Sequence, residues 1–313
     1  FINKAGGLIT PAFILKEAAM KKLEGVVSAL VTPFDEKDNV REDSIRRIIN
    51  YNLKNGVSGF YVCGSTGESL LLTLDERKRI LEIVNDEVKD RAFIIANIGC
   101  MGTKFSIELA KHAEEVGVDA ISSFPPIYYK FSFDEIKQYY FDIANSVNVP
   151  LIIYYIPSFT NVEMSLENFS ELLEHKNIIG VKFTSMNLFM LERIKALSNK
   201  TIFNGFDEVF LGGLSLGADG MIGSTCNIVP AIIRAIYDSF RSKEMEKAYI
   251  YQQKLNEIIN DIKDFGIIPA TKVILSLIGI ECGKPRKPFK ALGEEEIARL
   301  SSLMKSWNID FRL

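Results

Sequence analysis

Residues 25–63 read "GVVSALVTPFDEKDNVREDSIRRIINYNLKNGVSGFYVC", and the order of patterns inside this stretch decides the fold. The run 25–34 is apolar and β-branched, as a strand requires. In "EDSIRRIINYNLKNG", Ile45, Ile48, Ile49 and Leu53 recur at helical spacing, and Gly56 supplies a C-terminal stop. A second apolar run, "GFYVC" at 59–63, then begins another strand. Near-continuous apolar strands, each followed by a helix, are buried on both faces, which calls for parallel pairing under a helical layer.

The same unit recurs along the chain. Strand candidates follow at "FIIANIG" (93–99), "AISSF" (120–124), "LIIYYIP" (151–157), "IIGVKFT" (178–184), "TIFNGF" (201–206) and "GMIGST" (220–225), making eight with the first two. Their spacing stays near ~30 residues, the length of one βα repeat. Helical patterns lie between them; "LDERKRILEIVNDEV" places Ile80, Leu81, Val84 and Val88 on one face. Eight such units with no second class of repeat favour a closed ring over an open sheet, so the reading is an α/β fold, a TIM (β/α)8 barrel.

After the eighth unit only helical periodicity remains, in "EKAYIYQQKLNEIINDI", "PATKVILSLIGI" and "EEEIARLSSLMKSWNI". We read 20–229 as the barrel strands and helices, and 230–313 as the last barrel helix with a C-terminal helical extension of the same domain. No Pro/Gly cluster reads as a linker. The first 19 residues, "FINKAGGLITPAFILKEAA", lack an initiating Met and a basic start and hold a Pro in mid-run. They make a poor secretory signal and are read as a leader foreign to the native chain, with Met20 as its start.

Composition narrows the function classes. With 47% hydrophobic residues, 25% charged residues and a net charge of −3, the chain has ample core and no basic tract for nucleic acid. No apolar run reaches the roughly 20 residues that span a bilayer. The four cysteines lie far apart without a CxxC pair, as reduced thiols of a cytoplasmic protein do. His112 and His175 are the only histidines, and both fall in helical patterns away from strand ends. A histidine-dependent hydrolase or a histidine-ligated metal site thus has few parts, and no metal is expected.

Barrel chemistry sits at the C-terminal ends of the strands, where the unusual residues of this chain collect. The second strand runs into "CGSTGES" (63–69), whose glycines, hydroxyls and exposed amides suit a carboxylate or phosphate, though a plain glycine-rich turn has the same look. The fifth strand ends in "YYIPS" (154–158), the seventh in "NGFDE" (204–208) and the eighth in "GSTCN" (223–227). Lys182 lies within an otherwise apolar strand and shares a face with Gly180 and Thr184. If that face is the barrel interior, desolvation disfavours the ammonium and gives a nucleophilic amine near neutral pH. The structural alternative is an ion pair with Glu68 or Asp207.

"GSTGE", "YYIP" and Lys182, in this order on these strands, make the chain resemble the pyruvate-dependent class I aldolases of the dihydrodipicolinate synthase and N-acetylneuraminate lyase family. The resemblance runs from about Lys22 to the C-terminus. It implies that Lys182 forms the imine with pyruvate, that Tyr154 shuttles the proton, that Ser65 supports the tyrosine and that Thr66 binds the pyruvate carboxylate. A second tyrosine donated across a subunit interface corresponds to Tyr128, with Tyr129 adjacent, in an assembly that is usually a homotetramer.

The branches of the family differ beyond pyruvate. The synthase branch carries Arg two residues after the proline of its "YxxP" stretch, where this chain has Phe159. Without a guanidinium there, a second carboxylate loses its bidentate partner. Thr184, Gly205, Asp207, Glu208, Gly223 and Ser224 instead match the lyase branch, where such groups hold a polyhydroxylated chain. "YYIP" and "GFDE" depart from the commoner "YNIP" and "GYDE", and Tyr155 is expected to point outward.

The resemblance therefore implies reversible cleavage of N-acetylneuraminate to pyruvate and N-acetylmannosamine, with no cofactor beyond the lysine imine. The alternatives are a lyase of another 2-keto-3-deoxy sugar acid, a dihydrodipicolinate synthase-like enzyme, and an inactive barrel that senses sugar acids.

Overall fold

The computed structural model describes residues 22–311; the leader read over 1–19 lies outside the described residues. Eight parallel strands close into a barrel in chain order: β1 (Gly25–Ala29), β2 (Gly59–Val62), β3 (Phe93–Asn97), β4 (Ala120–Ser123), β5 (Leu151–Tyr155), β6 (Ile178–Phe183), β7 (Thr201–Asn204) and β8 (Gly220–Gly223). β8 pairs with β1 to shut the ring. All eight expected strands are present, and each ends one to five residues earlier than its apolar run. Those last residues leave the sheet to build the mouth.

The helices are α1 (Glu42–Lys54), α2 (Leu74–Val88), α3 (Thr103–Val116), α4 (Phe133–Ser146), α5 (Pro157–Thr160), α6 (Leu166–Leu173), α7 (Leu188–Leu197), α8 (Phe210–Ser215) and α9 (Pro230–Arg241), followed by α10 (Met245–Ile262), α11 (Ile267–Leu277) and α12 (Glu294–Ser306). α1 stops where expected, with Gly56 at φ +84°. α2 starts on a capping box: Thr73 Oγ1 accepts from the Glu76 amide at 3.2 Å, and the Glu76 carboxylate accepts from the Thr73 amide at 2.8 Å. His112 lies in α3, but His175 sits in the turn after α6, because that helix ends at Leu173.

Strand alternation sorts the apolar residues into two cores. Val27, Tyr61, Ile95, Ile152, Tyr154, Phe203 and Ile222 fill the barrel interior. Val26, Phe60, Ile94, Ile153, Tyr155, Val181 and Phe183 face the helical layer. Tyr155 does point outward: its ring stacks on Phe183, and its hydroxyl donates to Glu163 at 2.7 Å. In register, Tyr154 lies beside Lys182, and Lys182 beside Phe203, so the lysine joins the interior set.

Candidate active site

Lys182 enters the barrel because Val181 and Phe183 need the helical side. Only 4% of it is exposed. Its Nζ lies 3.8 Å from the centre of the Tyr154 ring and 4.1 Å from that of Tyr61. Burial lowers the amine pKa, with Tyr154 and the charge of Asp207 pulling the other way.

The carboxylates weighed as structural partners are engaged elsewhere. Glu68 pairs with Lys272 at 2.6 Å. Asp207 Oδ2 accepts from the amide and the hydroxyl of Thr225 at 2.8 and 2.5 Å. Burial nevertheless raises the Asp207 carboxyl to about 6. Lys182 is thus an amine among aromatic faces, with its proton loosened by desolvation.

A cavity of about 920 Å³ opens over this group, lined by Ser65, Thr66, Tyr154, Lys182, Thr184, Gly205, Asp207, Glu208 and Ser224. Ser65 Oγ is 3.4 Å from the Tyr154 hydroxyl, and Thr66 and Ser224 share a hydrogen bond at 2.6 Å. Thr184 Oγ1 is buried and has no hydrogen-bond partner among the described residues. A buried hydroxyl without a partner costs free energy unless a ligand supplies one. Gly205 exists for the same group, since a Cβ there would collide with Thr184 Oγ1.

Two expected site residues are placed otherwise. Gly223 does not line the cavity; it stands behind Asp207, and a side chain there would displace the Asp207 carboxylate. Its part is to make room for the Asp207 carboxylate. Tyr128 is 87% exposed at φ +79°, its ring edge-on to Tyr129 at 5.2 Å, and it does not line the cavity of its own chain.

The extension contributes what the sequence reading missed. Phe265, Ile267, Pro269 and Phe289 form part of the cavity wall, as does Phe159 of α5. Lys272 of α11 is fully buried. The signal for it was the one that exposed Lys182: a lone lysine in an apolar run, here "PATKVILSLIGI". Among the described residues no cluster of three or more His, Cys, Asp or Glu side chains is arranged to hold a metal ion.

Comparison with known proteins agrees with this arrangement. Residues 22–307 match the dihydrodipicolinate synthetase family. The N-acetylneuraminate lyase of Clostridium perfringens is 44% identical over 287 residues, covering 91% of this chain and 100% of the relative. The crystal structure of CdNal from Clostridium difficile in complex with mannosamine superposes with a TM-score of 0.90 at 43% identity, covering 92% of this chain and 100% of that one. N-acetylneuraminate lyase from Fusobacterium nucleatum superposes with a TM-score of 0.87 at 40% identity, over 91% of this chain and 98% of the other. With a buried lysine at the mouth of its eight-stranded barrel and this likeness along nearly its whole length, the chain belongs to the dihydrodipicolinate synthetase family.

Proposed function

We propose that this protein is an N-acetylneuraminate lyase, a class I aldolase that reversibly cleaves N-acetylneuraminate to pyruvate and N-acetylmannosamine. The observation that carries the reading is the buried Lys182 amine over the ring of Tyr154, in a cavity that hydroxyls and carboxylates also line. Relatives of that name at 44% identity support the choice of substrate.

The free amine of Lys182 attacks the C2 carbonyl of the open-chain sugar acid. Loss of water, its oxygen carrying off the Tyr154 phenol proton, leaves a protonated imine beside a Tyr154 phenolate. The Tyr154 phenolate oxygen takes the proton of the C4 hydroxyl, the C3–C4 bond breaks, and its electron pair moves into the imine to give an enamine. N-Acetylmannosamine leaves as the aldehyde. Protonation at C3 and hydrolysis then release pyruvate and restore the amine. Thr66, hydrogen-bonded to Ser224, stands at the turn assigned to the keto-acid carboxylate. Ser65 orients the Tyr154 hydroxyl from 3.4 Å. Thr184 Oγ1, Asp207 and Glu208 face the hydroxylated end, and the phenyl ring of Phe159 stands where the synthase branch carries a guanidinium.

The four buried free cysteines fit a reducing, cytoplasmic setting, and the exposed Tyr128 fits a homotetramer in which it completes a neighbour's site. No helix among the described residues is long and apolar enough to cross a membrane. The test is pyruvate release from N-acetylneuraminate, together with borohydride reduction in the presence of pyruvate. One pyruvyl adduct on the peptide containing Lys182, absent in Lys182→Met, is the expected result. An adduct on Lys272, or a parent enzyme that condenses pyruvate with aspartate semialdehyde as its best reaction, refutes the reading.

A further inference from the structure

We propose that the C-terminal extension positions the two ends of the substrate separately: Lys272 and Arg286 hold the keto-acid turn through Glu68, while Gln252 and Asn256 hold the Asp207–Glu208 turn. This rests on the lyase reading above, since it assigns the two turns to the two halves of that substrate.

The first clamp begins at the last residue of "GSTGE". Glu68 adopts a left-handed conformation, φ 60° and ψ 33°, which a non-glycine residue keeps only where its surroundings impose it. Both of its carboxylate oxygens are engaged by the extension. Oε1 lies 2.6 Å from the Lys272 ammonium, both side chains being wholly buried, and Oε2 accepts from the Arg286 amide at 2.7 Å. Lys272 is fixed in turn by the Lys284 carbonyl at 3.2 Å and by the ring of Phe34, 4.2 Å away. The Arg286 guanidinium reaches the far side of the same turn, donating to the Leu71 carbonyl at 2.9 Å and to Glu76. A buried ion pair gives little net stability compared with an apolar pair of the same size. Its distinctive effect here is to lock the backbone that presents Ser65 and Thr66.

The second clamp uses neutral amides one turn apart on α10. Gln252 donates to the Asp207 carbonyl at 3.1 Å and accepts from the Leu211 amide at 2.9 Å. It also donates to Asn256 at 2.9 Å, and Asn256 donates to the Glu208 carbonyl at 3.1 Å. Successive carbonyls of the seventh-strand turn are thereby pinned to one helix. Pinning both carbonyls fixes the directions in which the two carboxylates leave the backbone. Neither amide side chain lines the cavity, so Gln252 and Asn256 are positioning residues.

The experiment is a double dissociation. For each protein, the pyruvate concentration that gives half-maximal borohydride trapping is measured beside KM and kcat for N-acetylneuraminate, with thermal unfolding as a check on folding. The paired variant Lys272→Met with Glu68→Gln leaves no buried charge unpaired. It should raise the pyruvate half-saturation and the sugar-acid KM together, by roughly tenfold or more, the effect of losing one well-placed hydrogen bond to a charged group. Gln252→Met should raise the sugar-acid KM by about tenfold while pyruvate trapping stays within about twofold of the parent. A lowered unfolding temperature with both constants unchanged would assign these residues to stability alone and overturn the proposal. So would a Gln252→Met that shifts pyruvate trapping as much as sugar-acid KM, or a pair of variants that both fail to fold. A parent that traps pyruvate on Lys182 but does not cleave the sugar acid instead refutes the lyase reading.

Discussion

At the residue scale the site is an exercise in desolvation. Lys182 and Asp207 are both buried, and burial moves each toward its neutral form, lowering the amine and raising the carboxyl to about 6. For Asp207 the folded pKa lies above the ordinary value of 3.8, so the folded state binds the extra proton between those two values. Stability from this group is therefore present at low pH and falls as pH rises through about 6. Asp207→Asn should flatten that slope and raise the unfolding temperature at pH 7 relative to pH 4.5; a melting series across this range checks it, and parallel curves for parent and variant contradict it. Tyr154→Phe should lower turnover by about 10² to 10⁴ through the lost proton transfer, with the imine still trapped by borohydride. Unchanged turnover would return Tyr154 to a packing role. Lys182 stood out in the sequence because a charged group in an apolar strand is conspicuous wherever it occurs, whereas Tyr154 was singled out by the family resemblance. Lys272 was equally conspicuous, but a helix offers no rule, like that of barrel strand ends, to say what such a lysine serves.

At the scale of elements, the sequence placed the strands and helices well and their ends less well. α2 spans Leu74–Val88, the run read from periodicity, because a capping box starts it. The strands end early where the ladder thins to single bonds, as from the Thr184 amide to the Tyr155 carbonyl and from the Gly205 amide to the Phe183 carbonyl, or where the chain turns, as at Ser224 with φ −75° and ψ −37°, which apolar content alone does not reveal. On the proposed lyase reading, the β7 turn and α5 carry the substrate preference. Glu208→Ala should weaken sugar-acid cleavage about tenfold to a hundredfold, the value of one hydrogen bond to a charged group, while pyruvate imine formation is spared. Phe159→Arg should also depress cleavage, by crowding the mouth and setting a cation against hydroxyls rather than a second carboxylate. Steady-state rates with N-acetylneuraminate and trapping with pyruvate separate the two effects. Normal cleavage by Glu208→Ala removes Glu208 from the site.

At the scale of the whole molecule, one expected catalytic residue does not reach the cavity of its own chain. Tyr128 projects into solvent with Tyr129 beside it, and its assignment requires a second copy. Mixing unfolded Tyr128→Phe and Tyr154→Phe chains and refolding them together should restore about a quarter of the wild-type sites, as random isologous pairing produces. No gain over the separate variants would place the action of Tyr128 within one chain or nowhere.

The sequence by itself determined the barrel and which residues share a strand face with Lys182; that this face is the barrel interior is a matter of ring closure. Period-two alternation and a βα repeat are local patterns, and local patterns are written in consecutive residues. The tertiary structure alone decided that Gly223 serves Asp207, that Glu68 answers to Lys272 and Arg286, and that α10 pins the turn carrying Asp207 and Glu208. The hydrogen bonds among these contacts join residues some 45 to 218 positions apart. Which buried charge meets which is set by the closure of the ring and the packing of the extension across it, and no periodicity records such a meeting.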